Sequence, residues 1–301
     1  GDLDLFVGGR VVPGMYPVPA KSYLLVNQSN NKEIIFTNAT NEEFSNNDLG
    51  LITSSVWTDY NNDNWIDLIV VGEWTPIMFF KNMDGKLVED KSLIDEDSTR
   101  GWWYDITSED FDNDGDMDLV VGNLGNNYKY QANEDETFDI FYNDFDGNNS
   151  GDIVLSYYND GEQYPLRGRQ CSSEQIPAIK LKFDDYDAFS IATLEDVYTE
   201  PALENSLHYF TKTFSSVYLE NDGNSFNMSK LPVLAQLSSI NKILKKDIDN
   251  DGFVDIIVSG NMFNSEVETP RNDGSVGVLL KFHPNSGFNA IPARQSGLFL
   301  N

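Results

Sequence analysis

Four nine-residue stretches place oxygen-bearing side chains at alternating positions: DYNNDNWID (59–67), DFDNDGDMD (110–118), DFDGNNSGD (144–152) and DIDNDGFVD (247–255). Positions 1, 3, 5 and 9 are Asp59, Asn61, Asp63 and Asp67 in the first and Asp110, Asp112, Asp114 and Asp118 in the second. They are Asp144, Asp146, Asn148 and Asp152 in the third and Asp247, Asp249, Asp251 and Asp255 in the fourth. Position 7 (Trp65, Asp116, Ser150, Phe253) is free to offer its backbone carbonyl. Position 6 is Gly or Asn, the residue types that tolerate the left-handed backbone of a tight loop. Hard oxygens converging at this spacing suit calcium, which takes six to eight of them at roughly 2.3–2.6 Å. Magnesium is disfavoured because it keeps several waters. An EF-hand needs a Glu at position 12 and a following helix. Here position 12 is Val70, Val121, Leu155 and Val258, each inside an apolar run with strand character. The expectation is about four structural Ca2+ sites, with Asp118→Ala or Asp255→Ala lowering stability in calcium and having little effect in chelator.

Other chemistries have little to stand on. The two histidines, His208 and His283, are expected in a helical insertion and in an outer hairpin, which leaves no Ser–His pair and no His-based zinc site. No GxxxxGK[ST] phosphate loop occurs. A formal net charge of −29 argues against nucleic-acid or membrane-surface partners. No apolar run approaches the ~18 residues that a membrane-spanning helix needs. Cys171 is the only cysteine, so stabilisation would fall to metal rather than to disulfides, as suits a bacterial exported protein.

These loops have to be held by strands. Each is followed by an apolar run, LIVVG (68–72), LVVG (119–122), IVLSYY (153–158) and IIVSG (256–260). Hairpin patterns with a central turn recur at 23–40, 77–90, 217–229 and 278–290, including Asp84-Gly85 and Asp222-Gly223. A strand entering each loop, a strand leaving it and a hairpin make four antiparallel strands. Such units repeated at roughly 40–50 residues point to an all-β chain, a β-propeller of four-stranded blades. Unit limits are expected near 1–44, 45–95, 96–136, 137–235 and 236–301, in a single propeller segment. GDLDLFVGG (1–9) matches the loop from its sixth position onward, with Asp4 in the ninth place. The segment is therefore expected to begin inside a blade and to stop before the propeller closes. Residues 165–213 are the exception. Ile176, Ile179, Phe183, Tyr186, Leu203, Leu207 and Phe210 fall at helical spacing, predicting a helical insertion in the fourth unit that packs on the propeller.

The loops and strands together resemble FG-GAP/VCBS-type repeats, the calcium-loop blades also found in integrin α-subunit propellers. The stretches 1–25, 70–80, 101–103 and 120–127 further resemble the C-terminal propeller of large exported Bacteroidetes proteins that carry an ASPIC/UnbV domain. That resemblance implies an exported or cell-surface, calcium-dependent binding or adhesion module. It also implies that residues just after the strands gather on the face opposite the loops. Here these are Arg10, Glu73, Trp74, Asn123, Asn126, Tyr157, Tyr158 and Asn261, a rim for a glycan or protein partner. Arg10 paired with Glu73 in a purely structural contact is the plainer reading of that pair. Two alternatives stay open: a polysaccharide lyase in which Arg10, Glu73 and the tryptophans supply part of the machinery, and a scaffold subunit that docks through the insertion.

Overall fold

The computed structural model describes residues 3–40, 44, 48–265 and 269–300, so Gly1 and Asp2 of the stretch 1–9 lie outside it. Strands β1 (Leu5–Val7), β2 (Tyr23–Asn27) and β3 (Phe36–Asn38) form an antiparallel sheet. A second sheet runs in chain order through β4 (Leu51–Thr58), β5 (Asp67–Thr75), β6 (Met78–Met83) and β7 (Lys86–Glu89). Short β8 (Gly101–Trp102) joins β5 beyond its pairing with β6. Strands β9 (Asp105–Glu109) and β10 (Asp118–Gly122) then begin a third sheet.

The chain leaves that sheet unfinished and builds a second compact unit over residues 129–213. Its strands are β11 (Phe138–Asn143), β12 (Asp152–Asn159), β13 (Glu162–Pro165) and β14 (Leu207–Thr211), in the spatial order β13-β12-β11-β14. Three hairpin-linked strands and a fourth that returns beside the first make a Greek key. Between β13 and β14 lie five short helices, α1 (Arg169–Gln175), α2 (Ala178–Lys182), α3 (Tyr186–Ser190), α4 (Leu194–Tyr198) and α5 (Glu200–Glu204). They bury Ile176, Ile179, Phe189, Leu194, Val197 and Leu203 with Phe141 and Val154 of β11 and β12. Each fully buried side chain of this kind contributes about 1.5–3 kcal/mol.

After this unit, β15 (Val217–Asn221) pairs with β10, and β16 (Phe226–Lys230) completes the third sheet in the order β9-β10-β15-β16. The fourth sheet is β17 (Lys242–Lys246), β18 (Asp255–Ser259), β19 (Val278–His283) and β20 (Gly287–Ile291).

Strand alternation explains why the post-loop runs are continuously apolar: both faces of the strand are covered. Leu68 and Val70 of β5 pack toward Phe6 and Leu24 of the first sheet, and Ile69 and Val71 toward Leu119 and Val121 of β10. Val120 points the other way, into a cluster with Ile256, Leu280 and Phe288 of the fourth sheet. The four sheets thus stack face to face in chain order. At the end of β10 the backbones come very close. A Cβ on Gly122 would lie 2.4 Å from the Ile240 carbonyl oxygen, so only glycine fits there.

Three expectations need correction. Residues 137–235 are not one unit, because the hairpin at 217–229 belongs with β9 and β10, not with the 144–152 loop. The helical insertion is only part of a larger inserted unit, and helices occupy no more than 169–204 of the span 165–213. Leu207 and Phe210, read at helical spacing, lie in β14, where pairing with β11 satisfies their backbone groups.

Candidate metal centres

All four acidic loops join the first two strands of a sheet: β4 to β5, β9 to β10, β11 to β12 and β17 to β18. Their backbones are wound alike. The first-position carboxylate accepts the fifth and sixth N–H groups with its two oxygens. Distances are 3.1 and 3.1 Å at Asp110 and 2.9 and 2.8 Å at Asp144. The fifth side chain accepts the seventh N–H, at 3.0 Å for Asp63 and Asp251, 2.9 Å for Asp114 and 2.7 Å for Asn148. The sixth residue has positive φ in every loop, as its residue type predicts. So does the fourth (Asn62, Asn113, Gly147, Asn250), which sequence reasoning missed although it is always Asn or Gly.

The fourth residue also links loops. Asn62 Nδ2 donates to the Gly115 carbonyl of the second loop (3.4 Å) and to Asp116, and Asn113 Nδ2 donates to the Gly252 carbonyl (3.1 Å). The loops at 59–67, 110–118 and 247–255 therefore form a hydrogen-bonded string along one end of the stacked sheets.

The ninth aspartates are buried. One oxygen accepts a backbone N–H from the third strand: Asn82 to Asp67 at 2.7 Å, Asn221 to Asp118 at 2.8 Å and Phe282 to Asp255 at 3.1 Å. Asn27 N–H donates to Asp4 at 2.9 Å in the same register, which puts Asp4 in the ninth position as the sequence predicts. In the complete loops the other oxygen accepts the N–H of position 2, as from Phe111 to Asp118 and from Phe145 to Asp152. Asp118 additionally accepts the Tyr218 hydroxyl at 2.8 Å.

Carboxylate oxygens converge in three loops: Asp110, Asp112 and Asp114; Asp144, Asp146 and Asp152; Asp247, Asp249 and Asp255. Within each group the oxygens lie within 4.8 Å of one another. In the first loop Asn61 Nδ2 donates to Asp67 at 2.7 Å, while Asn61 Oδ1 is buried with no partner. Carboxylates clustered in three loops, and a buried amide oxygen left without a partner in the 59–67 loop, are oxygen donors suited to a hard cation, and these residues would hold one.

The electrostatics agree. Burial pushes the Asp118 carboxyl up to about 7 and the Asp67 carboxyl up to about 6, against the backbone N–H groups that pull them down. Asp152 and Asp255 are raised by the same cause, and Asp112 by burial and its neighbouring carboxylates. A carboxyl raised on folding favours the folded state when protonated, and that stability is lost as pH rises through the folded value. In metal-free buffer the melting temperature is therefore expected to climb as pH falls from 8 to 6. A cation reverses the sign, since its ligands must be ionised. The increment gained from added calcium is expected to shrink over the same interval in paired thermal melts.

The rim residues fare unequally. Arg10 ion-pairs with buried Glu73. Trp74 is buried, donates from Nε1 to the Tyr16 hydroxyl at 2.7 Å and packs edge-on to Trp102 at 4.7 Å. Arg10 and Glu73 thus meet as a pair, and Trp74 packs with Tyr16 and Trp102. Asn123 is also buried, and its Oδ1 accepts the Trp102 and Leu124 N–H groups. Asn126 is exposed and exchanges hydrogen bonds with Ser215. Asn261 is half-buried, with its Nδ2 donating to Ser275. His283 ends β19 as expected. His208 is not helical: it sits in β14, 2.7 Å from Asp139 and stacked on Phe141 at 4.2 Å.

Tyr157 and Tyr158 lie on β12 of the inserted unit, at the end away from the 144–152 loop. Tyr157 is exposed and lines two adjoining cavities of about 330 and 360 Å³. The first is walled by Tyr164, Tyr186 and Arg167, the second by Gln131, Tyr158 and Asn159, and Leu166 is common to both.

Residues 59–121, which span the first two complete loops and the strands between them, match the FG-GAP-like repeat family. No curated protein matches the chain significantly.

Proposed function

We propose that this chain is part of a calcium-stabilised β-propeller that acts as a non-enzymatic binding module for a glycan, with the four stacked sheets as blades. The convergence of three carboxylates in each of three like-wound loops, with hydrogen bonds linking the loops at 59–67, 110–118 and 247–255, carries the metal part of this reading. Calcium sites of extracellular modules fill at roughly 0.1–1 mM, which favours an exported or cell-surface setting. The FG-GAP/VCBS-type surface proteins that the sequence resembles supply the same context.

The glycan part rests on the inserted unit rather than on the expected rim. Two adjoining cavities sharing an exposed tyrosine, with other tyrosines and amides on their walls, suit successive sugar rings: flat faces for C–H surfaces and amides for hydroxyls. The rim reading loses Glu73, Trp74 and Asn123 to burial. Burial of the Glu73 carboxylate against Arg10 also favours the non-enzymatic reading over a lyase with Glu73 as its base.

Retention of the protein on a panel of immobilised polysaccharides in calcium tests this. At least one should be bound, and Tyr157→Ala should weaken binding roughly tenfold or more with an unchanged melting temperature. Absence of retention on every polysaccharide would overturn the glycan reading, and release of ultraviolet-absorbing unsaturated sugars would establish the lyase instead.

A further inference from the structure

The three loops strung along the stacked sheets are not equivalent, and what distinguishes them lies on the neighbouring strand. In each sheet, the residue after the ninth aspartate pairs across to the third strand: Leu68 with Phe80, Leu119 with Leu219 and Ile256 with Leu280. One step further along that strand stand Lys81, Glu220 and Lys281 respectively. Lys81 Nζ lies 3.0 Å from Asp63 Oδ2, on the fifth-position carboxylate of its loop. Lys281 Nζ contacts Asp249 Oδ2 and lies 3.0 Å from Asp251 Oδ2, the third- and fifth-position carboxylates. An ammonium group thus sits on ligand oxygens in two loops, while the register-matched residue of the 110–118 loop carries a negative charge.

We propose that Lys81 and Lys281 are built-in competitors for calcium, so that the 110–118 loop fills first and the 59–67 and 247–255 loops fill only as calcium displaces their lysines. The idea rests on the calcium reading above. Both lysines are held more firmly in the charged form by these carboxylates, and the Asp63 and Asp251 carboxyls are correspondingly lowered. A bound dication needs those same oxygens and repels the ammonium, so each lysine must swing out to water at the cost of its ion pairs. Exposed pairs of this kind are individually weak. Added to the repulsion that is relieved, their loss corresponds to roughly tenfold in affinity. The 144–152 loop is not latched in this way, because β13 pairs with β12 only from Ser156 onward and does not reach that loop.

Calcium titration of the metal-stripped chain against a chromophoric chelator tests this, using wild type, Lys81→Met, Lys281→Met and Glu220→Lys. Wild type should show at least two classes of site. Each Lys→Met change should tighten one weak site about tenfold at unchanged stoichiometry. Glu220→Lys should weaken a tight site by a similar factor. Thermal melts in calcium check that all four chains fold. Unchanged affinities at full stoichiometry would overturn the lysine competition and leave calcium binding intact. Failure of wild type to bind calcium at all would remove both readings.

Discussion

Moving the chain from excess chelator into 10 mM calcium is expected to raise its melting temperature by roughly 10–30 °C. For dissociation constants of about 0.1–1 mM, a site binding only the folded state contributes about 1.4–2.7 kcal/mol at that concentration. Three such loops lie in the unit of stacked sheets. Together they supply about 4–8 kcal/mol, comparable to the whole stability of many domains. At about 2–4 °C per kcal/mol for a domain of this size, the shift is large enough to read in any thermal scan. Without the ion, the 110–118 and 247–255 loops hold their carboxylates together against their own repulsion, and the buried Asp118 and Asp67 stay ionised only at a cost. Magnesium at the same concentration should reproduce little of the shift. An equal gain from magnesium, or none from calcium, would contradict the calcium assignment.

The second large effect separates the roles of two aspartates in one loop. Asp118→Ala should destabilise the protein in calcium and in chelator alike, by about 3–5 kcal/mol even without metal. Its carboxylate accepts the Phe111 and Asn221 N–H groups and the Tyr218 hydroxyl in a buried place, and each orphaned donor costs about 1–3 kcal/mol. This amends the expectation from sequence that the change would be nearly silent in chelator. Asp255 has the same double duty, through Ile248 and Phe282. Asp114→Ala is the cleaner probe. Its side chain accepts only the exposed Asp116 N–H, and removing it relieves repulsion with Asp110 and Asp112. It should lower the melting temperature in calcium by several degrees and leave it unchanged or higher in chelator. Equal losses for Asp114→Ala in both buffers would count against a metal role for that loop.

Much of this was legible because local chemistry repeats. The Asp spacing, the Gly or Asn at position 6 and the apolar strand after each loop are confined to about fifteen residues, and the structure shows the same winding four times. Even the ninth-position role of Asp4 was readable, since Asn27 meets it as Asn82 meets Asp67. Strand partnership is another matter. The hairpin at 217–229 carries nothing in its own residues that says which earlier strand it joins, so proximity in sequence assigned it to the wrong loop. One clue was present: no hairpin pattern follows the 110–118 loop before residue 136, leaving its sheet two strands short. Leu207 and Phe210 misled because spacings of three and four residues from Leu203 mimic a helix face, when a turn and a strand intervene. The lysines on the loops escaped notice because their role depends on cross-strand register, which single-sequence patterns do not carry.

The insertion between β10 and β15 also sets a timetable for the nascent chain. Asp118 and Asn221, which must meet to close the third sheet, are 103 positions apart. At translation rates of about 5–20 residues per second, β10 waits roughly 5–20 s for its partner strand to be made. During that wait its apolar run has one edge unpaired, the exposure that invites wrong pairing with another chain. If the 129–213 unit folds on its own first, it draws its two ends together and shortens the effective search from a hundred residues to a short tether. In the finished structure those ends already adjoin, with the Gly125 N–H donating to the Phe214 carbonyl at 2.8 Å. The inserted Greek key would then act, before any ligand arrives, as an internal clamp that delivers β15 to its place.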